Sequence, residues 1–406
     1  MTAQTTTKPG GHLPTLIASF LHFDLSFMLW VLVGALGIFI ADDLKLSPSE
    51  KGWLVAFPVL TGSLLRIPVG ILSDRLGGKR IGTALLAMLY LPLFLGWQFG
   101  DSLGTMSAIG LLLGCAGASF AVALPLASRW YPPERQGLVM GIAAAGNSGT
   151  VLANLFAPRI ALAVGWHNVF GLAMLPLTLV LLAFVLMAKD YPRSGVAPSL
   201  KAHLAVLRHP DMWWFCAFYS VTFGGYVGLS SFLPIFMRDQ YHVSPTDAGL
   251  VTAAGAFVGS GLRPLGGYLA DRFGGVRMLS VLLVAIGTCY AVWSRNPDLL
   301  VMVPMLLVGM GSLGMGNGAV FQMVPQRFRA DIGLATGMVG AVGGLGGFLL
   351  PVVLGSARQS LGSFEAGFLA LAGFAVVALV LLRVLTALHA GWRFVWRPGP
   401  SEEAAA

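Results

Sequence analysis

The sequence predicts an all-α integral membrane protein with twelve transmembrane helices in two pseudo-symmetric six-helix bundles. Three observations carry this. Of the 406 residues, 56% are hydrophobic and only 10% charged, against about 25% charged in an ordinary soluble domain. Apolar runs recur at about twenty residues, the length a helix needs to span a bilayer, whereas the short alternating segments of a membrane barrel are absent. Finally, the second half of the chain repeats the first.

The spans are expected at about 16–40, 53–73, 81–99, 104–126, 136–158 and 166–188, then 212–236, 248–270, 276–294, 299–322, 332–355 and 364–388. In lipid the backbone must satisfy its own hydrogen bonds, so these runs read as helices. The organisation is an N-terminal tail (1–15), a first six-helix bundle (16–188), a polar linker (189–211), a second bundle (212–388) and a C-terminal tail (389–406). The tail "MTAQTTTKPGGHLPT" lacks the charged start and cleavage site of a signal peptide, so the first span is expected to be retained.

Orientation follows from the Lys and Arg residues of the short loops. One side collects seventeen of the 25, among them Arg75, Lys79, Arg80, Arg129, Arg272 and Arg277. The other collects six: Lys45, Lys51, Arg159, Arg238, Arg295 and Arg358. By the positive-inside rule the first side, with both termini, is cytoplasmic, and the pI of about 9.7 is a matter of topology rather than of nucleic-acid binding. A multi-pass protein of the cytoplasmic (inner) membrane is expected, with the lipid bilayer as its surroundings.

Two arginines, Arg66 and Arg263, belong to neither side. A shift of 197 residues lays "LSPSEKGWLVAFPVLTGSLLRIPVGILSDRLGGKR" (46–80) over "VSPTDAGLVTAAGAFVGSGLRPLGGYLADRFGGVR" (243–277), with fifteen of 35 positions identical and Arg66 on Arg263. Parallel repeats related by an axis along the membrane normal organise secondary transporters, with the substrate site at their interface. Arg66 follows Trp53 by thirteen residues and precedes Asp74 by eight, roughly 20 and 12 Å of helix, which places it near the midplane. A charge there costs about 2.5–3.5 kcal/mol on insertion scales. Of seventeen acids only Asp24 falls clearly within a span, with His22 near the start of the same span. The core therefore carries unneutralised positive charge and invites an anion. The guanidinium fork suits a planar oxyanion in particular.

The repeated loops "GILSDRLGGKR" and "GYLADRFGGVR" resemble the signature of the major facilitator superfamily, over essentially the whole chain. Asp74, Arg75, Asp271 and Arg272 then take gating and structural roles, each Asp ending a span where it can pair with a nearby Arg or cap a helix. The small-residue runs "GIAAAGNSGTVLANLFAP" and "GMVGAVGGLGGFLLP" resemble the two signatures of that superfamily's nitrate/nitrite porter family, as do "FDLSFMLWVLVG", "GCAGASFAVALP", "YSVTFGGYVG" and "GMGNGAVFQMVPQRF". The resemblance implies that Arg66 and Arg263 clamp the anion, that Phe27, Phe120, Tyr219 and Phe223 enclose it, and that Asn147 and Gly117 lie beside it. The first signature is richer in alanine here than in many members.

The resulting expectation is a secondary transporter that imports nitrate by alternating access, coupled to protons through Asp24 or His22. Nitrate/nitrite antiport is the alternative, and a sensor or anion channel on the same fold a weaker one. Neither a nucleophile–base pair nor a phosphate loop is present, and the three cysteines lack ligand spacing. No enzyme activity, cofactor or metal site is therefore expected. The mechanism needs one chain, so a monomer is expected.

Overall fold

Helices occupy all twelve expected positions in the computed structural model, which describes residues 11–192, 207–328, 332–389 and 392. No strand occurs among the described residues. Most of the linker and of both tails lies outside them. Ten helices are long and apolar enough to cross a membrane; the fifth and eighth spans are helical as well but more polar.

We number the spans α1 (13–43, in the pieces Leu13–Trp30, Leu32–Ala35 and Gly37–Asp43), α2 (Pro48–Leu76), α3 (Gly78–Phe99), α4 (Leu103–Ser128), α5 (133–164) and α6 (Trp166–Met187). The second half comprises α7 (Pro210–Tyr241), α8 (Pro245–Phe273), α9 (Gly275–Trp293), α10 (Leu299–Arg327), α11 (Ile332–Leu361) and α12 (Glu365–Leu388). Most helices extend beyond the apolar runs because polar caps begin them early. The Ser47 hydroxyl accepts from the Glu50 amide while the Glu50 carboxylate accepts from the Ser47 amide at 2.8 Å. This reciprocal cap, followed by Pro48, starts α2 several residues before the apolar run.

The sequence repeat becomes a structural one in α2 and α8. Each has 29 residues, starts after a serine cap (Ser47, Ser244) and stops at a glycine of positive φ (Gly77 at 104°, Gly274 at 93°). That backbone region is costly for any residue with a Cβ. Arg66 and Arg263 therefore occupy the same position in equivalent helices.

The halves meet along three seams: α2 against α11, α5 against α8, and the middle of α1 against α7. Contact is closest on the face bearing the six basic residues, called the far face below; the opposite face, bearing the DR loops, is the basic face. A Cβ on Gly52 would lie 2.5 Å from the Pro351 carbonyl oxygen, so α2 and α11 touch there backbone to backbone. Beside them Lys51 of α2 places its ammonium 2.8 Å from both carboxylate oxygens of Asp239 of α7. The side chains are only 15% and 19% exposed.

A partly buried pair of this kind contributes about 1 kcal/mol. Lys51→Met is therefore expected to loosen the far face by about fivefold. The measurement is labelling of a cysteine placed at buried Val55 by a membrane-impermeant thiol reagent. Unchanged labelling would contradict a latch at this pair. Background is low, because Cys115, Cys216 and Cys289 are all buried.

Toward the basic face the halves separate. A cavity of about 280 Å³ lies between α2, α4 and the start of α11, running from Arg66 to Asp74 and Arg129.

Candidate functional site

Arg66 is held from both halves at once. It is 1% exposed; its Nε donates to the Gly117 carbonyl of α4 at 3.0 Å and its Nη1 to the Gly340 carbonyl of α11 at 2.6 Å. Three rings face its guanidinium carbon: Phe223 at 4.9 Å, Phe120 at 5.1 Å and Trp30 at 5.3 Å. A cation among ring faces replaces part of its lost hydration. The remaining nitrogen, Nη2, is buried without a partner.

Arg263 is held less firmly. Its guanidinium lies 5.5 Å over the Phe321 ring, and its Nη1 is also buried without a partner. Each arginine feels the field of the other, and both act on Tyr219. The Tyr219 hydroxyl takes a hydrogen bond from Arg263 and finds no acceptor for its own proton, while its ring stacks on Phe223 at 4.9 Å and 4°. No carboxylate among the described residues forms an ion pair with either arginine. Buried donors nearly always find acceptors. Three convergent donors without one, two of them cationic, make a site for a small anion.

The other expected residues fall into separate groups. Gly117 contributes its carbonyl, and its lack of a side chain admits the Trp30 indole, which donates to the Pro58 carbonyl at 2.7 Å. Phe27, expected beside the anion, is not among the rings over the Arg66 guanidinium. It packs at 5.0 Å behind Trp30 and at 4.8 Å beside Phe23, supporting the cage from behind. Asn147 lies in a short 3₁₀ turn of α5, 2% exposed, with its Oδ1 unpartnered.

Asp24 accepts from the Ser148 hydroxyl at 2.6 Å and from the Gly149 amide. It remains partly accessible and lacks a cationic partner among the described residues. The crossing of α1 and α5 here requires glycine: a Cβ on Gly149 would lie 1.8 Å from the Asp24 carbonyl oxygen. The adjacent Phe23 touches Phe120 at 5.8 Å, which ties Asp24 to the aromatic cage. His22, by contrast, turns away. It is fully buried, its Nε2 lies 3.1 Å from the Gly82 carbonyl and its ring packs on Phe184, between α3 and α6.

At the basic face Asp74 pairs with Arg129 at 2.5 Å rather than with its neighbour Arg75. Asp271 accepts from Gln322 at 2.8 Å, so its partner is an amide on α10. Arg272 lies over the Phe273 ring. Trp30, Phe321 and Gly340 are the components that sequence reasoning missed. Trp30 stands three residues from Phe27, one turn along the same face, which was a usable signal. The Gly340 carbonyl is main chain and leaves no mark in the sequence.

A long helical bundle with paired interior arginines and a cavity to one face defines a membrane transporter. The family model of the Major Facilitator Superfamily matches residues 18–351 and 229–404. Two solved structures share the fold: a bacterial homolog to the human lysosomal transporter Spinster (TM-score 0.73, 20% identity, 95% of this chain and 98% of that one) and the nucleoside transporter NupG (0.73, 15%, 91% and 99%). Among curated relatives, the nitrite extrusion protein of Bacillus subtilis is 38% identical over 359 residues, 88% of this chain and 90% of that protein. The probable nitrate/nitrite transporter NarK2 of Mycobacterium tuberculosis H37Rv is 35% identical over 393 residues, 94% and 96%. The probable nitrate/nitrite antiporter NarK1 of Thermus thermophilus is 32% identical over 419 residues, 94% and 93%. The chain belongs to the nitrate/nitrite porter family of the Major Facilitator Superfamily; it is a multi-pass transporter, not an enzyme.

Proposed function

We propose that this chain imports nitrate across the cytoplasmic membrane by alternating access, coupled to protons, with both termini in the cytoplasm and one chain as the working unit. The observation that carries this is the convergence of unpartnered donors from Arg66, Arg263 and Tyr219, two helices from one half and one from the other. A planar oxyanion bound there joins the halves through charge-assisted hydrogen bonds. Nitrate, possessing three equivalent oxygens and one charge, can bridge both forks and offsets only part of their repulsion. The bundles 16–188 and 212–388 then rock about it as rigid bodies, joined by the linker 189–211. Asp74 with Arg129, and Asp271 with Gln322, brace the ends that move. Under this topology the 280 Å³ cavity leads to the cytoplasm and the latched far face is extracellular.

Coupling is assigned to Asp24. Moving one uncompensated negative charge inward against 100 mV costs about 2.3 kcal/mol; one proton per nitrate removes that cost and two make import electrically favourable. Asp24 is the carboxyl within a span, partly accessible, and positioned where α1 crosses the first glycine run. Nitrite is a second substrate in this reading. Nitrate/nitrite antiport is the competing mode, favoured by the name of one relative, the probable antiporter NarK1, and requiring no acid.

Purified protein in liposomes separates the two modes. The expected result is nitrate accumulation driven by an inward pH gradient with no internal anion. Uptake indifferent to the gradient but dependent on internal nitrite would replace symport with antiport.

A further inference from the structure

Beyond the arginine layer, toward the far face, lies a second polar layer. Asn147, Thr150 and Asn154 share one face of α5 at intervals of three and four residues. Tyr226 and Ser230 share one face of α7 at an interval of four, beyond the π turn Ser220–Gly224 that follows Tyr219. Tyr226 lies seven residues beyond Tyr219, roughly 10 Å along the helix, and Ser260 is one turn of α8 from Arg263. The Tyr226 hydroxyl is buried, 2.7 Å from the Ser260 hydroxyl and 3.2 Å from the Ala256 carbonyl. Thr150 of the other half and Ser230 lie beside it, and the field of Arg263 reaches it.

Thr150 and Ser230, at most 1% exposed, have the Tyr226 hydroxyl as their hydrogen-bonding neighbour, and the Asn154 Oδ1 is unpartnered. Some buried hydroxyls of these helices are satisfied by the carbonyl one turn back, Thr252 on Ala248 and Ser280 on Val276, both at 2.7 Å, whereas others, such as Thr222 and Ser231 of α7, are not. That intrahelical bond is the ordinary solution for a hydroxyl in a membrane helix. Thr150 and Ser230 do without it and meet instead at Tyr226, one from each side of the seam between the halves.

We infer that Thr150, Tyr226 and Ser230 form an outer subsite for the same class of small univalent oxyanion, used when the halves part at the far face. The inference rests on the transport reading above. Neutral hydroxyls suit a waypoint: they donate to an anion drawn in by Arg263, yet hold it less tightly than a guanidinium does. The anion then moves one turn inward to the arginine pair.

The test is nitrate transport in oriented proteoliposomes, measured from each face, for wild type, Tyr226→Phe, Thr150→Val and the conservative Thr150→Ser. Tyr226→Phe and Thr150→Val are expected to raise the far-face KM about tenfold. The basic-face KM and the nitrate affinity of the detergent-solubilised protein should stay within twofold of wild type, and Thr150→Ser should restore the far-face value. A shift of equal size at both faces, or none at either, overturns the outer subsite while leaving the arginine site standing. Wild-type protein that carries no nitrate would instead remove the transport reading and this inference with it.

Discussion

Arg66→Lys and Arg263→Lys will each weaken nitrate binding by about tenfold to a hundredfold, although neither alters the charge of the site. Hydrogen bonds to charged groups contribute about 1.5–3 kcal/mol, and lysine, a point charge on a flexible stem, cannot present two parallel N–H groups to adjacent oxygens. The two variants will also differ from each other. Arg66 already spends Nε on Gly117 and Nη1 on Gly340, keeping Nη2 for the anion. Lysine at 66 must give up part of this set, including the bond that crosses between the halves. Arg66→Lys should therefore lower the melting temperature as well as the affinity, whereas Arg263→Lys should lower affinity with little change in melting. Isothermal titration with nitrate and a thermal melt of the same preparations check both statements. Near-wild-type affinity in both variants would contradict a clamp built on the guanidinium fork.

Asp24→Asn will abolish accumulation driven by a pH gradient while leaving exchange of nitrate for internal nitrite or nitrate largely intact. The substitution is nearly isosteric and keeps an oxygen to accept from Ser148, so the crossing of α1 over Gly149 should survive. What it removes is the proton. Without that charge to offset the anion, inward movement against the membrane potential is uphill, but electroneutral exchange is not. The paired assays are gradient-driven uptake and counterflow in the same liposomes. If Asp24→Asn keeps gradient-driven accumulation, the proton path lies elsewhere; if both modes fail, the residue serves the packing of α1 and α5.

The span pattern and the pair of arginines were legible in the sequence because both are one-dimensional signals. Apolar run length reports a helix in lipid, and a fixed offset of 197 residues brings Arg66 onto Arg263 without any coordinates. The helix ends were less legible: Ser47 with Glu50, and Ser244 with Asp247, begin helices in polar sequence that a hydropathy pattern assigns to loops. Partners were legible only as types. Asp74 calls for an arginine, but Arg129 rather than the adjacent Arg75 supplies it, because the pairing depends on how α4 ends beside α2. The aromatic cage was anticipated in composition but not in full, since Trp30 was not among its expected members. Trp30 faces Arg66 and Phe27 stands behind it, a rotation of one turn that family resemblance does not resolve. His22 shows the same limit. Its position in α1 suggested access to the pathway, yet that face of α1 packs on α3 and α6. Main-chain acceptors such as the Gly340 carbonyl cannot be read from residue types at all.

The measurement that tests the central claim most directly is a double-mutant cycle of nitrate affinity over wild type, Arg66→Ala, Arg263→Ala and the double variant. Groups that grip the same ion are coupled, and such cycles isolate the coupling. If one anion lies between the two arginines, each single variant should lose most of the affinity and the double little more. Additive losses, or nitrate binding that persists in the double variant, would contradict a shared anion site between the halves.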